Sequence, residues 1–269
     1  MLVRCSIVLL IILAALVPCV NGAECKNDYQ SIIFPTGMPT GKGWDGQSRP
    51  EQFKCYAEAP IAEGVTAVLF STETLTGSAD NLFKVRLVTL SSRGTPVLLD
   101  SIELTSSIPV FVEQPGNFLR MNATLETVTT RQGIRLVHVN EWAVLSGSGS
   151  ISGGSDLFFI YASQSRLSTA LELRNSSSFS RVGIGAVSKK GSDLFLSTSN
   201  QETILYVQSR AAQVINSAPT PVSENINVYV LRMGKFERST MQVNRVPNAA
   251  AKLQRVPEIL ALMSDPKPF

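Results

Sequence analysis

From about residue 61 to residue 232, apolar and polar residues alternate with the period of two that a β-strand imposes. In 82–90, LFKVRLVTL, the side chains of Phe83, Val85 and Leu87 fall on one side, with Lys84 and Arg86 on the other. This predicts a half-buried strand with one solvated face. Residues 65–70, VTAVLF, are rich in β-branched and aromatic types suited to a pleated surface. Ser91-Ser92-Arg93-Gly94 supplies a turn, after which 97–104, VLLDSIEL, returns. Further strands are predicted at 109–113, 118–127, 133–140, 157–162, 168–174, 181–187, 193–198, 203–208 and 226–232. Short strands recurring every 8–15 residues or so, separated by Ser/Gly turns, predict an all-β chain built as an antiparallel β-sandwich.

Interruptions of that pattern suggest an organisation. Residues 146–155, SGSGSISGGS, are almost all Ser and Gly and read as a linker or hinge. The alternative is a long hairpin loop inside one larger sandwich. With the linker, a first β domain covers 23–145 and a second covers 156–233. An Asn/Asp followed by two apolar residues recurs at Asn81, Asn117, Asp156 and Asp193, about 37 residues apart. The flanks do not match, so this reads as recurrent strand-start chemistry rather than a repeat architecture. Residues 26–60 are rich in Gly and Pro and read as irregular. Residues 234–269 leave the β pattern and contain Pro247, Pro257, Pro266 and Pro268. They read as an irregular, exposed C-terminal tail in which 248–255 and 257–263 are candidate short helices.

The first 22 residues change the compartment. Arg4 precedes the apolar run 7–17, IVLLIILAALV, and Pro18 ends it. Eleven apolar residues rise about 16 Å as a helix, too short for a hydrocarbon core of about 30 Å. The segment reads as a signal peptide cut before Ala23, and the mature chain as secreted, with no membrane span. Cys5 and Cys19 leave with it. Cys25 and Cys55 remain in an oxidising compartment and are expected to pair; the alternative is two free or intermolecular thiols. The triplets starting at Asn122 and Asn175 are candidate glycosylation sites. A net charge of only +3, with no basic run interleaved with aromatics, argues against a nucleic-acid partner.

In order along residues 25–142, several stretches resemble a CUB domain, an extracellular β-sandwich module. Cys25 is followed by Cys55-Tyr56-Ala57-Glu58-Ala59-Pro60-Ile61, similar to the family's C-x-W/Y-x-I. Residues 64–75, GVTAVLFSTETL, resemble its first long apolar strand. Asp80-Asn81-Leu82-Phe83-Lys84-Val85 resembles D-x-L-x-V, and 116–126, GNFLRMNATLE, resembles G-N-x-L-x-I-x-F-x-S-D. Gly133-Ile134-Arg135-Leu136-Val137 resembles the closing G-F-x-L-x-Y. The family's second disulfide has no cysteines here. The pattern is closest in character to the divergent CUB-like domains of nematode secreted proteins, some linked to pathogen responses. The resemblance implies a non-enzymatic recognition protein, with an innate immune or pathogen-response role. It also implies a candidate calcium site at Glu73, Asp80 and Glu126, since Ca²⁺ is held by several hard oxygens. No other cofactor is expected.

Other chemistry has little support in the sequence. A Ser-His-Asp site would have to use His138, the only histidine. It falls in the alternating run Ile134, Leu136, His138 and reads as a strand residue near the end of the sandwich. No G-x-S-x-G elbow is present. Tyr29, Phe34 and Trp44, on the Pro/Gly-rich stretch, are candidate anchors for an extracellular protein or glycan; each could instead cover the core. A structural matrix or coat component is the second reading of function. A secreted hydrolase on a β scaffold is the third.

Overall fold

The computed structural model describes residues 19–25, 29–42, 47–73, 83–104, 118–146, 149–162, 165–181, 187–215, 218–219 and 223–264. Strands account for 67% of the chain and helices for 5%, and every sheet is antiparallel, so the all-β expectation holds. The N-terminal part carries β1 (Cys19–Asn21), the helical turn α1 (Gln30–Ile33), β2 (Thr40–Lys42) and β3 (Ser48–Pro50). Strands β4 (Gln52–Ala62), β5 (Val65–Glu73), β6 (Phe83–Ser91) and β7 (Val97–Leu104) form a four-stranded meander.

The second half of the chain builds a much larger sheet. Its strands are β8 (Phe118–Thr129), β9 (Arg135–Ser146), β10 (Gly149–Tyr161), β11 (Leu167–Arg181), β12 (Val187–Thr198), β13 (Thr203–Ile215), β14 (Ala218–Pro219), β15 (Ser223–Arg232), β16 (Lys235–Arg238) and β17 (Ala251–Lys252). The order is β1-β8-β9-β10-β11-β12-β13-β15-β16, with β14 on β13 and β17 on β12. Helix α2 (Pro257–Ser264) follows.

Strands β8–β10 are buried on both faces, and the period of two sorts their side chains between two cores. Leu125, Val137, Val139, Leu157 and Phe159 meet Ala59, Leu69, Val85 and Leu87 of the meander. Their neighbours Val128, Leu136 and Phe158 turn the other way, onto Leu194, Leu196, Leu205, Val207 and Phe236. The large sheet therefore folds back over itself, bringing the ring of Phe158 within 5.5 Å of that of Phe236. A third cluster lies on the outer face of the meander, where Tyr29, Ile32, Ile33 and Phe34 cover Val68, Phe70, Val88 and Leu90.

Three expectations change. The stretch 146–155 is not a linker: Ser146 ends β9, and 149–155 open β10 (Gly149–Tyr161). Strand β10 is paired with β9 on one side and β11 on the other, and Ser152 to Ser155 are buried. Small side chains serve packing here: a Cβ on Gly154 would lie 2.7 Å from Trp142 Cε3 and 2.8 Å from Ile259 Cδ1. The stretch 26–60 is irregular only in part: α1, β2 and β3 lie within it, and β4 enters it at Gln52, with Pro60 exposed. The C-terminal segment is not a free tail. Residues 251–252 pair with β12, and Leu253, Arg255, Val256 and Ile259 are all buried. Of the two candidate helices, 257–263 forms as α2 and 248–255 does not.

Candidate functional site

The most unusual chemistry lies between the two halves of the folded-back sheet, on the face of β8–β10 turned away from the meander. Four of its polar residues sit at facing positions on adjacent strands: Glu126 opposite His138, and Asn140 opposite Asp156. Phe158, which faces His138 from β10, stacks on the imidazole at 4.6 Å between ring centroids. The C-terminal segment lies over them and contributes Arg255, 3% exposed. Each ionisable group would be costly to bury alone; as a set they compensate one another.

The geometry is that of a closed quartet. His138 Nε2 is 2.8 Å from Asp156 Oδ1, and its Nδ1 is 3.6 Å from Glu126 Oε2. The Arg255 guanidinium lies 3.0 Å from Asp156 Oδ2 and donates to Ser176 Oγ at 3.2 Å and to the Ser192 carbonyl. Asn140 Nδ2 donates to Asp156 Oδ1 at 3.0 Å and to the Ser155 carbonyl at 3.1 Å. Burial by itself would lower the pKa of His138, but hydrogen bonding and charge from Asp156 and then Glu126 outweigh it and hold the imidazole above its ordinary value of 6.5. With His138 protonated, two carboxylates face two cations and the buried set is neutral. Burial pulls the Arg255 guanidinium below its ordinary value, against the opposing charges of Asp156 and Asp193. It stays cationic, as arginine does in proteins.

The same groups read the backbone of the C-terminal segment. Glu126 Oε2 accepts from the Gln254 N–H at 2.9 Å, and Asn140 Oδ1 accepts from the Val256 N–H at 2.8 Å. The Leu253 N–H donates to the Leu194 carbonyl at 2.9 Å. Lys252 pairs with Asp193 at 2.9 Å, and Val256 and Ile259 pack with Trp142.

Both ring nitrogens of His138 are directed at carboxylates, so neither is placed to take a proton from a serine hydroxyl. Of the three candidate calcium ligands, Asp80 lies outside the described residues, as does the side chain of Glu73. Glu126 does not suit that site. Its neighbours Leu125 and Thr127 face the meander that carries Glu73, so Glu126 points to the opposite side, into the quartet. Among the described residues no group of three or more His, Cys, Asp or Glu side chains is arranged to hold a metal ion.

Comparison with protein-family models, with curated proteins and with solved structures finds no match to this chain.

The remaining candidates are placed as follows. Cys25 and Cys55 are bridged, with Cα atoms 6.2 Å apart, tying the N-terminal segment to β4. Tyr29 is buried, not an exposed anchor, and its hydroxyl donates to Glu58 Oε2 at 2.6 Å. Phe34 is half-buried, edge-on to Phe53 and Phe70. Trp44 lies outside the described residues. Asn122 is half-buried on β8, with Nδ2 3.5 Å from Glu258 Oε2 of α2, a contact that a glycan on that nitrogen would replace. Asn175 is the extra residue of a β-bulge in β11, between Arg174 and Ser176, which oppose Ser155 and Gly154.

The sequence marks Asp156 only as a recurrent strand start, and it does not mark Asn140 or Arg255 at all. The available signal was polar: His138 and Asn140 continue the alternation of Leu136 across a strand whose next outward positions are apolar. Nothing in the sequence brings Arg255 to them.

Proposed function

We propose that this chain is a secreted, disulfide-bonded, non-enzymatic recognition protein whose ligand is an extracellular protein or glycan, with a CUB-like first part over residues 25–142. The observation that carries this reading is the Cys25–Cys55 bridge, which follows closely on an apolar leader. Disulfides persist in oxidising compartments and are rare in the cytosol. The antiparallel, sandwich-like architecture is one that extracellular modules use to present loops to partners. A role in pathogen response rests on the resemblance alone.

Cutting before Ala23 would remove β1, which pairs Cys19–Asn21 with Val128–Glu126 of β8. The new terminus would still be held by the two backbone hydrogen bonds between Ala23 and Glu58, both 2.9 Å, and by the disulfide.

The test is expression of the full chain in a secreting eukaryotic cell, followed by N-terminal and disulfide mapping of the medium. The labelled product is then applied to arrays of glycans and extracellular proteins. The expected result is a species that begins at Ala23, has Cys25 bridged to Cys55, and binds a narrow set of targets saturably. Retention inside the cell with an intact Met1 terminus would overturn secretion. Absence of saturable binding, with turnover of an arrayed glycan, would favour a hydrolase instead.

A further inference from the structure

The pairing of β11 with β12 is incomplete. It joins Ser177–Ser180 to Lys190–Val187, and the ladder between the two strands ends there. On its other side β12 is paired with β13 along its whole length. The large sheet therefore parts between β11 and β12, leaving the edge of β12 at 194–196 to another segment. The C-terminal segment fills that seam. Ala251 and Lys252 pair with Leu196 and Phe195, and the Leu253 N–H continues the contact at the Leu194 carbonyl. This is strand addition to an open edge, a common mode of peptide recognition.

Beyond the edge, the seam contacts successive residues of the segment in distinct ways. Leu253 enters the second core. The alternate backbone N–H groups of Gln254 and Val256 are received by Glu126 and Asn140. Between them, the Arg255 side chain is held from three strands: Asp156 of β10, Ser176 of β11 and the Ser192 carbonyl of β12. Val256 and Ile259 close the apolar end against Trp142. The tether from β16 runs through 239–250 without strand or helix, and most of its residues are exposed.

We propose that the seam between β11 and β12 is a peptide-binding cleft of the strand-addition type, occupied in this chain by its own C-terminal segment as an exchangeable internal ligand. The ligand class is an extended peptide with an apolar residue, one spacer, an arginine and a second apolar residue, as in Leu253-Gln254-Arg255-Val256. The carboxylate of Asp156 sets the arginine requirement. A bidentate-capable, planar guanidinium fits it and the two flanking oxygens better than an ammonium does. This inference is independent of secretion.

The probe is a fluorescent synthetic peptide spanning 248–264. It is titrated against the full chain carrying Arg255→Ala, and separately against the wild-type chain cut at a protease site introduced into the tether between Met241 and Asn244. The expected result is saturable binding to both, at least tenfold weaker for a peptide carrying Arg255→Ala and intermediate for Arg255→Lys. Failure of the wild-type peptide to bind or exchange in either protein would overturn the proposal. Equal binding of the arginine and alanine peptides would overturn the arginine pocket. The nicked wild-type chain keeps the question decidable should the Arg255→Ala chain fail to fold.

Discussion

At the scale of single residues, His138 determines how the buried charge is balanced. Its folded pKa is raised, so its contribution to stability is fully present below the unfolded value of 6.5 and is lost as pH rises through the folded value. Replacing it by an uncharged side chain leaves two buried carboxylates facing one guanidinium. His138→Gln is expected to cost about 3–5 kcal/mol at pH 6, in the range for breaking a buried ion pair. The deficit should shrink as the pH climbs above 6.5 and the wild-type imidazole itself loses its charge. Urea unfolding of both proteins across a pH series reads this directly; a deficit that is flat or grows with pH would contradict it. His138 was legible as a strand residue because it falls in the alternating run Ile134, Leu136, His138. Its chemistry was not legible. Glu126, Asp156 and Arg255 reach it only through strand register and a chain return of more than a hundred residues, and neither leaves a local trace.

Among the elements, the pattern of apolar runs and turn residues identified β5 to β9, β11 to β13 and β15. It failed at the start of β10. Ser152, Gly153, Gly154 and Ser155 have the composition of a hinge, yet they are buried between β9 and β11. What composition reports as freedom is here a requirement for close approach. Gly154 leaves room for Trp142 and Ile259, so it lets α2 lie against β9 and β10. Gly154→Ala would drive a methyl into an aromatic carbon and the Glu141 carbonyl, 3.0 Å away, as well as into the more yielding end of Ile259. It is expected to destabilise by about 1–3 kcal/mol, the usual range for overpacking. Thermal melting of Gly154→Ala alone and combined with Ile259→Val would show partial recovery in the double variant, because the smaller side chain withdraws the clashing Cδ1. Equal melting of wild type and Gly154→Ala would mean the helix does not pack there.

For the molecule as a whole, the division into two domains at 146–155 gives way to continuity. Strand β10 sends Leu157 and Phe159 into one core and Phe158 into the other, so the two cores share a layer. The C-terminal segment closes the seam on the far side, and Arg255 joins β10, β11 and β12 through one side chain. The chain's last third is thus part of the body that its middle builds. The most direct measurement of this arrangement is native-state hydrogen exchange on the intact, unmodified protein, resolved by residue. The amides of 152–158 should exchange only through the same global opening as those of Val137 and Val139, and Gln254 and Val256 should be protected but open at lower free energy. Exchange of 152–158 at the rate of an unstructured peptide, with 254 and 256 equally unprotected, would contradict the continuous sheet and the docked segment together.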